Sequence, residues 1–226
     1  MCGRYTLRTP PAVLVEHFRL GSMPPLSPRF NIAPTQQVGA VRQSTPGQRE
    51  FVWMRWGLVP HWAKDKSIGN QLINARSESA ASKPTFRDSF RRRRCLIAAD
   101  GFYEWKKIGK QKQPYLIRMP DHGPFAFAGL WDRWGDDADG FQSCTILTTA
   151  ANVTLSDLHE RMPVILDPLQ YDQWLDPALS DNEQLHSLLD GALCSQLVVE
   201  PVSPRVNNVA NDDPGVLAPP PPLLFD

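Results

Sequence analysis

Cys95-Leu-Ile-Ala-Ala-Asp-Gly-Phe-Tyr-Glu-Trp-Lys106 decides the fold class. Its apolar, β-branched and aromatic content reads as two short strands, Cys95–Ala99 and Phe102–Lys106. Alternation in the second puts Phe102 and Glu104 on one face and Tyr103 and Trp105 on the other. Outward from this stretch, Gln37–Arg42, Glu50–Trp56, Tyr115–Met119, Phe125–Trp131 and Cys144–Thr149 read as strands too. Thr9–Leu20 reads as a short helix, with an N-cap candidate, prolines in its first turn and Gly21 as its stop. Pro168–Leu175 and Asp181–Leu189 also look helical. Residues 22–34 are Pro-rich and read as irregular, and Lys106–Lys112 reads as a polar turn between strands. The tail from Asn211, with Pro219–Pro222, is expected to be extended. The expectation is an α+β chain with a curved, antiparallel or mixed sheet and no boundary that cuts it in two.

The chain has 226 residues and 22 prolines, with 42% hydrophobic and 21% charged residues. This composition suits a globular, loop-rich protein and excludes wholesale disorder. No apolar run reaches transmembrane length. The start, Met1-Cys-Gly-Arg-Tyr5, has no apolar stretch behind a basic segment, so no signal peptide is expected. Cys2, Cys95, Cys144 and Cys194 lie far apart without metal-site spacing, and read as reduced thiols of a cytoplasmic protein. The net charge of zero hides a segregation. Residues 1–119 hold 21 of the 24 Lys and Arg and 7 of the 24 Asp and Glu, a net +14, and the remainder is −14. This suits either a basic face for an anionic partner or two halves that attract each other within one fold.

Four segments carry candidate chemistry. Removal of Met1 would leave Cys2 with an α-amine and a thiol on adjacent carbons, both partly deprotonated near neutral pH. Such a residue attacks amides through sulfur, or captures aldehydes through nitrogen and then sulfur, closing a thiazolidine ring. Gly3 permits close approach, and Arg4 suits an anion beside the nucleophile. Trp56–Trp62 and Ile73–Glu78 place loop tryptophans near a basic segment, where Trp62 suits base stacking. Asn74 is either a site amide or a cap for a helix at Ala75–Ala80. Arg76 is either a phosphate contact or half of a surface ion pair. Glu104 among apolar neighbours should have a raised pKa and suits general acid–base work, unless its strand is an edge strand in water. His159 in Leu158-His-Glu-Arg-Met-Pro163 is a proton-donor candidate, and Arg161 again suits a phosphate. The run Arg91–Arg94 is either a solvated face or a set of nucleic-acid backbone contacts.

These segments, with Arg29–Pro34, Gly129–Trp131, Thr148–Asn152 and Val202–Asn207, resemble the SRAP family, the SOS response-associated peptidases, also called abasic-site-processing proteins. The motifs run in family order from residue 2 to about residue 208. The resemblance implies a single domain over 1–210, built on a barrel-like, mostly antiparallel sheet flanked by short helices, with a Pro-rich tail at 211–226. It implies a positive cleft for single-stranded DNA and a DNA-damage role. Cys2, freed of Met1, would link covalently to the ring-opened deoxyribose of an abasic site. Glu104 would move protons at the amine and imine, Asn74 would position Cys2 or the sugar, and His159 would bond the sugar O4′. Arg4, Arg76 and Arg161 would hold phosphates, and Trp62 would meet the neighbouring base. No cofactor or metal is expected, the protein is expected to be a monomer without membrane contact, and any peptidase activity is expected to be self-removal of Met1. Two other readings stay open: an N-terminal-nucleophile amidohydrolase using Cys2, and a non-catalytic module for single-stranded DNA.

Overall fold

The computed structural model describes residues 2–45, 47–109, 111–136, 139–190 and 197–221. Its strands are β1 (Tyr5–Leu7), β2 (Arg29–Ile32), β3 (Gln37–Thr45), β4 (Gln48–Trp56), β5 (Asn74–Arg76), β6 (Arg94–Ala99) and β7 (Gly101–Ile108). They continue with β8 (Gln111–Arg118), β9 (Phe125–Trp134), β10 (Phe141–Ala150), β11 (Arg161–Pro163), β12 (Ile165–Leu166) and β13 (Val198–Pro201). The helices are short: α1 (Pro11–Phe18), α2 (Ser77–Ala80), α3 (Arg87–Arg92), α4 (Tyr171–Leu175) and α5 (Asn182–Asp190). Every strand expected from the sequence is present, and most run a few residues longer.

The strands form two sheets. One has the order β13-β8-β7-β1-β2 and the other β11-β10-β4-β3-β6-β9-β12. A further pairing of β9 with β10 closes five strands of the second sheet into a ring, β10-β4-β3-β6-β9. Pairings are antiparallel except those of β10 with β4 and β5. The sheets share one core. Tyr5 of β1 packs edge-on against Trp56 of β4 and Phe127 of β9, with centroids 5.3 and 5.7 Å apart, and Phe102 of β7 meets Phe127 at 5.9 Å. Such aromatic contacts join apolar burial to a preferred edge-to-face geometry. Phe102 faces this core, whereas Tyr103 and Trp105 pack in a second cluster with Val202, Val206 and Val216. The expected alternation of β7 is therefore correct, and β7 is an inner strand between β1 and β8 rather than an edge.

Five local expectations are corrected. Thr9 does not cap α1: its N–H and Oγ1 donate to the Asp100 carboxylate, which also accepts from Thr6 Oγ1 and Arg8 N and so ties the end of β1 to the β6–β7 turn. The helix stops at Arg19 in the left-handed region (φ 51°), not at Gly21. Residues 22–34 are not wholly irregular, because β2 lies within them. β2 is held from outside by Asp212, which accepts the N–H groups of Phe30 and Asn31 and pairs with Arg29. The tail from Asn211 is thus docked on β2 at its start and carries a 3₁₀ turn at Pro214–Leu217. Asn74 lies in a strand and not at a helix cap.

Part of the charge segregation is internal. Arg49 pairs with Asp172, Arg93 with Asp132, Arg118 with Glu200 and Arg29 with Asp212, each joining the basic half to the acidic half. The run Arg91–Arg94 is not one face. Arg94 is buried and donates to the carbonyls of Phe90, Arg91, Trp174, Asp176 and Leu179, and burial lowers its pKa to about 10. Cys2, Cys95 and Cys144 are free buried thiols, and Cys194 lies outside the described residues. Among the described residues no helix is long and apolar enough to cross a membrane.

Candidate active site

Cys2, just before β1, is fully buried. Asn74 at the start of β5 donates from Nδ2 to the Cys2 carbonyl at 2.8 Å, which fixes the Cys2 backbone. Asn74 Oδ1 is buried and has no hydrogen-bond partner among the described residues. Buried acceptors are usually satisfied, so this oxygen is available to a group that donates. The Cys2 thiol is held well above its ordinary pKa, first by burial and then by the negative charge of Glu104. It is therefore a protonated thiol and a poor nucleophile as it stands.

Glu104 reaches this place because β7 pairs with β1, in the register Tyr5 with Phe102 and Thr6 with Gly101. Its side chain lies on the core face with Phe102 and is 5% exposed. Burial raises its carboxyl above the ordinary value, and the nearby His159 acts in the opposite direction. The expectation of a desolvated carboxylate is met, and the picture of an edge-strand Glu104 in water is overturned.

His159 precedes β11 in a turn that begins at Asn152. Its backbone N–H donates to the Leu155 carbonyl at 3.0 Å, and its Nδ1 accepts the backbone N–H of Arg161 at 2.9 Å. An acceptor Nδ1 leaves the ring proton of the neutral imidazole on Nε2. His159 is thus built as an Nε2–H donor. Its influence on Glu104, and that of Glu104 on Cys2, show that the three belong to one electrostatic neighbourhood. The fold brings Cys2, Asn74, Glu104 and His159 together from four separate parts of the chain.

The residues expected around this centre divide into two groups. Arg76 is exposed and lies two residues after Asn74 on the same face of β5, roughly 6–7 Å along the strand. Trp62 is 51% exposed on the loop after β4. That loop is firmly held. Gly57 takes a positive φ of 123° and packs so closely on Gly69 that any Cβ there would collide with its carbonyl. Val59 N donates to Ser143 Oγ at 2.8 Å, and Trp134 Nε1 donates to the Ala63 carbonyl at 2.7 Å. Trp56, by contrast, is a core residue whose Nε1 donates to the Ile73 carbonyl.

Arg4 and Arg161 are engaged within the fold. Arg4 Nη1 donates to Asn31 Oδ1 at 2.8 Å and to the Val206 carbonyl at 2.9 Å, and its guanidinium lies 6.0 Å from the Trp105 ring. It therefore shares the face of Tyr103 and Trp105, opposite to that of Glu104. Arg161, 13% exposed in its side chain, meets both oxygens of Glu78 at 2.6 and 2.9 Å and donates to the Thr148 carbonyl at 2.6 Å. Sequence reasoning assigned no role to Asn31 or Glu78. Both lie inside motifs that it singled out, but nothing in the sequence names their partners at Arg4 and Arg161.

Residues 1–209 match the family described as SOS response associated peptidase (SRAP). The chain is 38% identical over 222 residues to the abasic site processing protein YoqW of Bacillus subtilis, covering 96% of this chain and 99% of that one. It is 34% identical over 196 residues to the abasic site processing protein YedK of Escherichia coli, covering 84% of each. Its fold matches a solved protein of Bacteroides thetaiotaomicron with a TM-score of 0.84 at 24% identity, over 96% of this chain and 99% of that one. A Bordetella bronchiseptica protein matches with a TM-score of 0.76 at 26% identity, over 89% of this chain and 100% of that one.

Proposed function

We propose, from the fact that the chain belongs to the SOS response associated peptidase family, that it processes abasic sites in single-stranded DNA and links to them through Cys2. The observation that carries this reading is the convergence of Cys2, Asn74, Glu104 and His159. Two adjacent nucleophiles on one residue, a desolvated carboxylate and an imidazole Nε2–H donor suit the chemistry of an aldehyde. The curated relatives that carry the abasic-site name supply the substrate class.

The reaction begins once the Met1–Cys2 peptide bond is hydrolysed and the Cys2 α-amine is free. An abasic deoxyribose exists chiefly as a closed hemiacetal and must open to an aldehyde. His159 Nε2–H hydrogen-bonds the ring oxygen O4′ as the C1′–O4′ bond breaks, and the proton of the C1′ hydroxyl passes to O4′ through water, leaving the aldehyde at C1′. Glu104 accepts a proton from the α-ammonium, and the amine nitrogen attacks C1′ to give a carbinolamine. Glu104 then returns the proton to the departing hydroxyl, water leaves, and a protonated imine remains. The Cys2 sulfur adds to the imine carbon while its proton passes to the Glu104 carboxylate, which closes the thiazolidine. The balance is amine, thiol and aldehyde in, ring and one water out. Asn74 keeps the Cys2 backbone still throughout, which supplies orientation rather than charge. Arg76 meets a flanking phosphate, and Trp62 stacks on the neighbouring base. Arg4 and Arg161 reach DNA only by exchanging internal partners for it.

The test is incubation of the purified protein with single-stranded DNA that carries one abasic site, followed by a denaturing gel and intact-mass analysis. Wild type should lose Met1 and form a slow-migrating adduct, and Cys2→Ala should form none. Cys2→Ser keeps the amine, so it should yield an imine trapped by borohydride but no stable ring. An adduct on Cys2→Ala, attached at another residue, overturns the reading.

A further inference from the structure

Glu78 has no part in the chemistry above, yet it spans the site. β10 has β5 on one side, in the register Ile146 with Asn74 and Thr148 with Arg76. On the other side it has β11, in the register Thr148 with Pro163 and Ala150 with Arg161. Asn74, which holds Cys2, therefore belongs to one flank of β10, and His159 with Arg161 to the other. The Arg161 guanidinium reaches across β10, donating from Nη2 to the Thr148 carbonyl, and ends on Glu78 just beyond β5. Nη1 meets Oε1 and Nη2 meets Oε2 of the carboxylate, a paired geometry that fixes orientation as well as distance.

We infer that Glu78 is a positioning residue for this site: by clamping Arg161 across β10 it fixes the Arg161 backbone N–H that holds His159 as the Nε2–H tautomer, and it sets His159 against Cys2. This rests on the proposed crosslinking reaction and deepens it. Glu78 and Arg161 are joined through side chains, and Arg161 and His159 through the bond from Arg161 N to Nδ1. Glu78 therefore acts on His159 at one remove and does not touch the sugar. Its own side chain is 53% exposed, and an ion pair so placed contributes little to global stability. Its effect should appear in the geometry of the site and not in the melting point.

The experiment uses full-length Glu78→Gln, which keeps the size and loses the paired charge, beside Glu78→Ala. Nitrogen NMR of the His159 ring in the DNA-free protein reports the tautomer. Wild type should show a protonated Nε2 and a bare Nδ1 at neutral pH, and both variants should show mixed tautomers with unchanged thermal midpoints. Single-turnover capture of a closed-ring abasic site should slow about ten- to a hundredfold, the scale of a small misplacement. Binding to undamaged single strands should hold or tighten, because a negative charge has gone. That split between binding and capture is opposite to the effect of merely removing a surface charge. Variants that keep the wild-type tautomer and capture rate overturn the inference. If wild type itself makes no adduct, the reaction assignment fails, while the ring spectra still decide whether Glu78 orients His159.

Discussion

Glu104→Gln separates the chemistry of this site from its packing. The substitution keeps the shape of the side chain and removes the carboxylate whose charge acts on Cys2. Glu104 is 5% exposed, and burial raises its carboxyl above the ordinary 4.5. In the proposed reaction it takes the ammonium proton and returns it to the leaving hydroxyl. Loss of a general acid–base group typically slows a step about 10²–10⁴-fold, which is about 3–5 kcal/mol of barrier. Stability should move the other way. A carboxyl that titrates higher in the folded state stabilises the fold while protonated, below the unfolded pKa. That contribution is lost as pH rises through the folded pKa. Gln never ionises and keeps it at all pH values. The thermal midpoint of Glu104→Gln should therefore exceed that of wild type at about pH 7–8 and converge on it below about pH 4. Single-turnover gels with abasic single strands read the first effect, and calorimetry over a pH series reads the second. Crosslinking at the wild-type rate removes Glu104 from the mechanism, and a pH-independent difference in midpoint refutes the burial argument.

His159→Ala should slow capture of a closed-ring abasic site about 10²-fold or more and matter much less for a substrate that presents an open aldehyde; equal loss on both would assign His159 a different role. Arg76→Ala should weaken binding to undamaged single strands and flatten the plot of log affinity against log salt by up to about 0.7, the contribution of one phosphate; an unchanged slope in filter-binding titrations would show that Arg76 touches no phosphate. Arg94→Met should destabilise the fold by at least about 3 kcal/mol, because buried carbonyls left unpaired cost about 1–3 kcal/mol each. Chemical denaturation measures it, and a change under about 1 kcal/mol would mean that water replaces the guanidinium without loss.

The seven expected strands were legible because alternation and β-branched content are local properties that survive in the fold. β1, β2, β5, β11, β12 and β13 were not, since each spans only two to four residues and owes its place to its neighbours. β1 exists because β2 and β7 flank it, and β5 because β10 does. The alternation of β7 placed Glu104 correctly on the face of Phe102, but whether that face was wet depended on β1 lying beside it. The charge halves were visible, but their meaning was not: pairs such as Arg49–Asp172 and Arg118–Glu200 are between residues far apart in sequence. Arg94 shows the same limit, because nothing in a run of four arginines marks the one whose side chain turns inward to five carbonyls.

In the proposed reaction, the surroundings of Cys2 also set the order of its two attacks. A thiol and an amine on adjacent carbons compete for the same aldehyde, and in free solution the thiolate is the faster partner. Here the thiol is pushed upward, chiefly by burial and further by the charge of Glu104. The same carboxylate that suppresses the thiolate draws a proton from an ammonium, so one group disfavours sulfur and favours nitrogen. Nitrogen therefore attacks first, and the departure of water returns Glu104 to its carboxylate form. That carboxylate then takes the thiol proton as sulfur adds to the protonated imine carbon, so sulfur is activated at the moment its electrophile appears. Asn74 keeps the Cys2 carbonyl fixed across both steps, so that nitrogen and sulfur reach the same carbon without the backbone moving. Nitrogen first and sulfur second is the sequence that ends in a closed ring, and it follows from where one buried carboxylate lies relative to one buried thiol.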